Sequence, residues 1–259
     1  MIDLHCHILS GIDDGAADGA EARSLAEALV ADGVTTVAAT PHLRSDHPAV
    51  RVDELAGRCQ ALASELADAS IPLEVVPAGE VDLLWAMDAS PEELGLASLG
   101  QKGQYLLLET PYAPLTGTFE GLLFQHVMLS GLRVLLAHPE RSPTFQDDPQ
   151  RLFDLVRRGV LLQVTAPTLL TPRRRSASKR LAMALLEGGL VHNLASDSHG
   201  GNQERAPNLT PAREAAAGVD SVYAEWLVTE APAAILAGEH LPPPPRTPRK
   251  ARRWPWRPR

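Results

Sequence analysis

The sequence predicts a parallel α/β fold, either a barrel or a doubly wound sheet. Seven short apolar, often β-branched runs are spaced along the chain, and amphipathic stretches lie between most of them. Four of those stretches end in glycine just before the next run, as a helix C-cap should. The two architectures differ in where function gathers, because a barrel brings the C-terminal ends of its strands to one mouth.

Residues 2–4 (IDL) open the series as the first strand. AEARSLAEALVADG (20–33) follows, with Leu25, Ala28, Leu29 and Val30 at helical spacing and Gly33 as a stop signal. Residues 35–39 (TTVAA) form the second strand, VDELAGRCQALASELADA (52–69) a helix, and 73–76 (LEVV) the third strand. The fourth strand, 105–108 (YLLL), precedes the helical FEGLLFQHVMLSG (119–131) and the fifth strand, 133–137 (RVLLA). PQRLFDLVRRG (149–159) leads into a sixth strand at 160–164 (VLLQV), and RRSASKRLAMALLEGG (174–189) into the seventh at 191–195 (VHNLA). No internal repeat and no interdomain linker interrupts this order, so residues 1–240 are expected to form one domain.

A chain of 259 residues with 44% hydrophobic content and 22% charged residues describes a globular protein. It has two cysteines, which implies no disulfide framework and favours a reducing cytoplasm. The N-terminus has neither the basic region nor the apolar stretch of a secretion signal, and no apolar run approaches a membrane span. Net charge is −8, unevenly spread: LPPPPRTPRKARRWPWRPR (241–259) holds seven of the 24 basic residues and no acidic one. The remaining 17 basic against 32 acidic residues give the body −15, which repels nucleic acid, so no nucleic-acid partner is expected. The proline-rich tail has no core-forming pattern and is expected to be disordered. It reads either as a solubilising extension or as a weak attachment to an anionic membrane surface or acidic partner, with Trp254 and Trp256 at the interface.

The residues that follow the strands carry the chemistry. After the first come His5 and His7, then Asp13 and Asp14; the second gives His42 in ATPH, the third Glu80 in PAGEV, and the fourth Glu109 in LLLETP. LLAHPER after the fifth supplies His138 and Arg141, and LASDSH after the seventh supplies Asp197 and His199; the sixth supplies none. Alternation on an extended backbone points His5 and His7 to one side. Imidazoles and carboxylates without thiolates suit manganese, iron or zinc in a reactive site rather than a structural zinc. Nine candidates exceed one ion's needs and fit two or three sharing a carboxylate, an arrangement that polarises a phosphoryl oxygen and makes hydroxide at neutral pH. Any one of these residues alone reads as a turn former or helix cap; their ordered recurrence does not. Asp3 reads as a strand-end acceptor or a partner of a ligand. His126 and His192 read as helix-face and strand-start residues, His47 and His240 as solvated.

MIDLHCHILSGIDDGA, TPH, GE, LLLET, HPER and SDSH, in this order over residues 1 to about 235, resemble the polymerase-and-histidinol-phosphatase (PHP) metal-dependent family. The early DDG, Glu109 on its strand and HPER are similar, more narrowly, to the bacterial tyrosine-protein phosphatases of capsule and exopolysaccharide clusters. The resemblance implies a distorted seven-stranded (β/α) barrel of the TIM type holding three divalent metals, commonly manganese, with iron, cobalt or zinc as substitutes. It implies that His5, His7, Glu80 and Asp197 hold the first metal, and that Glu80 bridges to a second held by Glu109 and His138. Asp14, His42 and His199 would hold the third. Asp14 and Glu109 stand where other branches of the family place histidine, which favours the tyrosine-phosphatase branch. Arg141 and Arg205 match that branch's phosphate-clamping arginines.

The implied activity is hydrolysis of a phosphomonoester by a metal-bridging hydroxide, without a phosphoenzyme. The implied partner is the phosphorylated tyrosine-rich tail of a bacterial autokinase that controls polysaccharide export. A cysteine-based phosphatase is excluded, because the positions six after Cys6 and Cys59 are Ile12 and Glu65 rather than arginine. Histidinol phosphate, another small phosphomonoester or a phosphodiester remain alternative substrates, and a non-catalytic metal-binding module an alternative class. Amidohydrolysis on a related barrel lacks its metal-bridging lysine, since the fourth strand ends in Glu109.

Overall fold

A computed structural model describes residues 1–111, 117–173, 176–200 and 206–245. All seven predicted strands form: β1 (Ile2–Cys6), β2 (Thr36–Ala39), β4 (Glu74–Pro77), β6 (Tyr105–Glu109), β7 (Arg133–Ala137), β8 (Leu161–Thr165) and β9 (Asn193–Ala195). Two further short strands, β3 (His42–Leu43) and β5 (Glu80–Val81), were not predicted. Every pairing is parallel. The strands form two sheets, ordered β1-β2-β4 and β3-β5-β6-β7-β8-β9.

The division has a local cause. Pro41 has no N–H to give to a ladder, and Gly79 is pressed so closely that a Cβ would lie 2.3 Å from Leu43 Cδ1. Thr40–Pro41 and Ala78–Gly79 therefore interrupt β2/β3 and β4/β5 at matching heights. Hydrogen bonds persist across the gap, from Ala78 N to Ala39 O (3.1 Å) and from Glu80 N to Pro41 O (3.0 Å). At the other side of β1, Cys6 bridges in parallel to Ser198, just past β9. Asp197 N donates to His5 O and His7 N to Ser198 O, both at 2.8 Å.

Helices α1 (Gly19–Ala31), α2 (Leu55–Asp68), α3 (Leu83–Asp88) and α4 (Pro91–Ala97) fall in the first half. α5 (Phe119–Leu122), α6 (Pro143–Asp147), α7 (Gln150–Arg157), α8 (Ala166–Leu170) and α9 (Ala177–Glu187) follow, then α10 (Leu209–Ala217), α11 (Ser221–Trp226) and α12 (Glu230–Ala237). Asp18 caps α1 by accepting from Ala20 N and Glu21 N. The buried face of α1 is Ala22, Leu25, Ala26 and Leu29, with Val30 half-buried at its edge and Ala28 exposed. The predicted helix over 119–131 breaks after one turn into a π-helical segment, Leu123–Val127. Among the described residues no helix is long and apolar enough to cross a membrane.

β6 and β7 bury apolar side chains on both faces, which is why they read as continuous hydrophobic runs. Leu106, Leu108, Val134 and Leu136 join the large cluster that includes most of the helices' buried residues. Tyr105, Leu107, Leu135 and Ala137 join a smaller one with Leu4, Leu99 and Ile235. These two strands thus stand fixed from both sides, and Glu109 and His138 lie at their C-terminal ends.

Candidate metal centre

His5 lies inside β1 and His7 just beyond it, where the chain turns back on itself. Ala16 N donates to His7 O (3.2 Å), and Gly15 crosses so close that a Cβ there would sit 2.1 Å from His7 O. Only glycine permits this approach. The turn aims two carboxylates inward: Asp13 Oδ2 accepts from His7 Nδ1 (2.8 Å) and His42 N (3.1 Å), while Asp14 Oδ1 reaches His42 and His199. Registry aligns His42 with Glu80 at the starts of β3 and β5. His138 and Asp197 follow β7 and β9 with φ of 36° and 54°. Left-handed backbone is uncommon for residues with a Cβ, and here it bends each chain so that the side chain enters the cluster.

His5 and His7 meet two carboxylates, Glu80 and Asp197. His5 Nε2 lies 3.3 Å from each of His7 Nε2, Glu80 Oε2 and Asp197 Oδ1. His7 Nε2 lies 3.4 Å from Glu80 Oε2 and 3.7 Å from Asp197 Oδ1. Ligands at about 2.1 Å from one ion in tetrahedral array stand about 3.4 Å apart, the spacing found here. Asp14 Oδ1 lies 3.4 Å from both His42 Nε2 and His199 Nε2, and His7 completes that group. Glu80 joins the groups: its Oε1 is 2.9 Å from His138 Nε2 and its Oε2 is 3.0 Å from His42 Nδ1. Among the described residues Glu109 gathers with His42 and Glu80, and His138 with His5 and Glu80; no group brings Glu109 and His138 together.

The donor set fits a cation. Glu80 Oε2 is buried and makes no hydrogen bond, although three imidazole nitrogens approach it within 3.4 Å. Nor does His42 Nδ1 make one. A buried carboxylate oxygen ringed by nitrogens with no proton aligned between them is costly unless a positive ion fills the space.

The far sides of the imidazoles are held by other groups. His5 Nδ1 meets Gln163 Oε1 at 2.7 Å, and Gln163 Nε2 donates to Asn193 Oδ1 at 2.8 Å. His7 Nδ1 is held by Asp13 and His199 Nδ1 by Asp197 O (2.9 Å). With their protons on Nδ1, all three rings turn an Nε2 lone pair inward, as metal-ligating histidines require. Asp3 is buried, accepts from Ser196 N (3.0 Å) and His5 N (3.2 Å), and is pushed up to about 6 by that burial.

Carboxylates dominate the electrostatics of the imidazoles. Burial alone would depress the imidazoles, but Asp13 and Glu80 outweigh it and raise His7 to about 9. Asp14 and Glu80 do the same for His42, to about 11. His199 and His42 hold Asp14 far below the carboxylate range. Burial and the neighbouring Glu80 charge raise Glu109.

Two guanidinium groups flank the cluster. Arg141 Nη1 pairs with Asp197 Oδ2 at 2.5 Å while its Nη2 donates to Thr165 Oγ1 at 2.8 Å. Arg44, two residues past His42, gives Nη1 to both oxygens of Glu109 (3.0 and 2.9 Å) and Nε to Asp46 (2.6 Å). Arg205 lies outside the described residues. His47 is not solvated as expected: it is half-buried, with its ring stacked on His42 at 5.1 Å. His126 sits on the π-helical segment and His240 is exposed beside Arg133. His192, just before β9, accepts from Leu162 N. Cys6 is buried in the apolar core. Gln163, Asn193, Arg44 and His47 escape the motif reading. The signals for the first and third were an amide inside the apolar run VLLQV and an arginine at strand spacing from His42.

Comparison with known proteins gives a consistent result. Residues 1–237 match the family described as capsular polysaccharide synthesis, CpsB/CapC. The tyrosine-protein phosphatase YwqE of Bacillus subtilis is 34% identical over 203 residues, 77% of each chain. The tyrosine-protein phosphatase CpsB of Streptococcus pneumoniae is 26% identical over 208 residues, 77% of this chain and 83% of its own. A crystal structure from work on YwqE and CpsB, described as unique metal-dependent tyrosine phosphatases, superposes with a TM-score of 0.83 at 28% identity. It covers 96% of this chain and all of that one. A β-aspartyl dipeptidase from Fervidobacterium islandicum shares the fold alone, with a TM-score of 0.55 and 15% identity.

Proposed function

The chain belongs to the CpsB/CapC family of capsular polysaccharide synthesis proteins, and from that premise we propose that it is a metal-dependent protein-tyrosine phosphatase. The observation that carries the reading is the convergence of His5 and His7 on Glu80 and Asp197 at 3.3–3.7 Å, with a buried Glu80 oxygen that makes no hydrogen bond. Three divalent ions, manganese first among them, suit the donor set. His5, His7, Glu80 and Asp197 would hold one; Glu80, Glu109 and His138 a second; Asp14, His42 and His199 a third. Four of these side chains are carboxylates, bringing −4 against about +6 from three ions, which leaves the site positive for an anionic substrate. The strands are taken to wrap as a distorted seven-stranded barrel, with β2/β3 and β4/β5 counted as one strand each and Cys6–Ser198 at the seam.

Bound divalent ions supply a nucleophile at neutral pH and draw charge from the phosphoryl oxygens. The chain's own residues do the rest. Gln163, Asp13 and the Asp197 carbonyl fix the histidine tautomers. Arg141, anchored by Thr165 and Asp197, presents a guanidinium to the phosphoryl oxygens, and Arg205 is assigned the same role. A tyrosyl leaving group, with a pKa near 10, departs with less protonic help than an alkoxide. The substrate in this reading is the phosphotyrosine tail of a bacterial tyrosine autokinase, met in the cytoplasm; no nucleic acid takes part. The basic segment 241–259 lies outside the catalytic unit of residues 1–240.

The test strips the protein with a chelator and restores Mn, Fe, Co, Zn or Mg in turn. Substrates are phosphotyrosine peptide, phosphoserine peptide, histidinol phosphate and a phosphodiester. Phosphotyrosine is expected to be preferred, with manganese most active; preference for histidinol phosphate would overturn the substrate assignment. His138→Ala is expected to abolish turnover, and removal of residues 242–259 to leave small-substrate turnover intact.

A further inference from the structure

Resting on the phosphotyrosine reading, we propose that a cleft beside the ligand cluster seats the polypeptide flanking the phosphotyrosine, with Trp85 and Arg51 as specificity-determining residues. The cleft encloses about 530 Å³ and is bounded by Arg44, His47, Arg51, Trp85, Glu93 and Leu96. That volume lies in the range of ligand pockets and exceeds what a phosphoryl group needs.

Its position ties it to the reaction. Arg44 and His47 each face two ways, bordering the cleft while Arg44 holds Glu109 and His47 stacks on His42. Side chains that touch two of the ligand candidates therefore form the near wall of the cleft. The walls are also fixed rather than incidental. Asp82 caps α3 by accepting from Leu84 N (2.9 Å) and Trp85 N (3.3 Å), which sets the indole at the first turn. Ser90 and Glu93 form a reciprocal capping box at the start of α4, which holds the Glu93 carboxylate.

The lining chemistry selects among occupants. Trp85 and Leu96 offer an apolar wall with an indole face, suited to a side chain stacked beside the reacting tyrosine. Arg51, with a side chain 64% exposed and its Nε 3.4 Å from Asp53 Oδ1, and Glu93 place opposite charges on the rim, where a flanking acidic side chain competes with Asp53 for the guanidinium. A small phosphomonoester whose phosphate lies in the cluster has nothing to extend into this space, whereas a peptide has.

The experiment compares a phosphotyrosine peptide with 4-nitrophenyl phosphate, which has the aryl ring but no flanking chain, on manganese-loaded protein. Trp85→Ala and Arg51→Glu should each lower kcat/KM about tenfold more for the peptide than for the small substrate, chiefly through KM. Arg51 is exposed, so its variant folds even if loss of the indole disturbs α3. Fluorescence anisotropy with labelled, unphosphorylated product peptide gives a second readout. Binding should weaken about tenfold in both variants. Equal losses on both substrates, or unchanged peptide binding, would overturn the cleft assignment. A wild-type enzyme that leaves the phosphotyrosine peptide intact while cleaving another phosphomonoester would instead remove the phosphatase reading, and the cleft assignment with it.

Discussion

His5 shows how much of a ligand's behaviour is decided away from the atom that binds. Its Nδ1 meets Gln163, whose amide is oriented by Asn193, and Asn193 Nδ2 in turn donates to Leu227 O at 3.2 Å. Gln163→Leu keeps the volume of the side chain and removes the acceptor, so the ring loses its tautomer and its aim. Metal affinity is expected to fall between about 10- and 100-fold with the fold intact, as read by metal titration of the stripped protein with circular dichroism as control. The nine ligand candidates could be found in the sequence because imidazoles and carboxylates recur after strands. Gln163 could not be found that way, because a mid-strand amide has many uses and only its buried partners disclose this one. Arg44 was hidden similarly: its spacing from His42 suggests a shared face, but nothing in the chain announces that Glu109 waits 65 residues on.

At the level of elements, the site depends on turns that leave little freedom. The loop after β1 folds over His7 with Gly15 at the crossing, and Gly15 N donates to Asp13 Oδ1 at 3.0 Å, so Asp13 and Asp14 are set by one tight reversal. Gly15→Ala forces a methyl group into the His7 backbone. The expected result is a loss of about 1–3 kcal/mol in denaturant unfolding together with at least about a tenfold fall in turnover with manganese, since a displacement of about 1 Å near the chemistry can cost more. Unchanged turnover would show that the loop yields without moving its aspartates. Strand and helix order was legible because apolar runs and glycine stops are local signals. The breaks at Thr40–Pro41 and Ala78–Gly79 were not, since they express how two neighbouring strands bend together. The fraying of the helix at Leu123–Val127 was equally silent, because its apolar spacing still suits an α-helix.

For the molecule as a whole, the cluster sets protons against metal ions. His7 and His42 are raised to about 9 and about 11, above the unfolded value near 6.5. Their protonated pairs therefore stabilise the metal-free fold fully below pH 6.5, and that contribution is lost as pH rises through 9 and 11. Divalent ions need the same nitrogens unprotonated, so they gain where the protons fade. The rise in melting temperature on adding manganese to stripped protein is expected to be larger at pH 8.5 than at pH 6.5; the reverse order would contradict the proton competition. That the fold is parallel α/β was evident from seven alternating units. That its strands divide into two sheets was not, because pairing between distant strands leaves no local mark.

The hydrogen bonds that tie His5 and His7 to Asp197 and Ser198 also dictate a timetable. A chain emerging from the ribosome presents His5 first and Asp197 and His199 last, so the nascent protein carries a crowd of mismatched acids and imidazoles with no closing partner. Loading must then be among the final events of biogenesis, because the residues just past β9 complete a site that those just past β1 began.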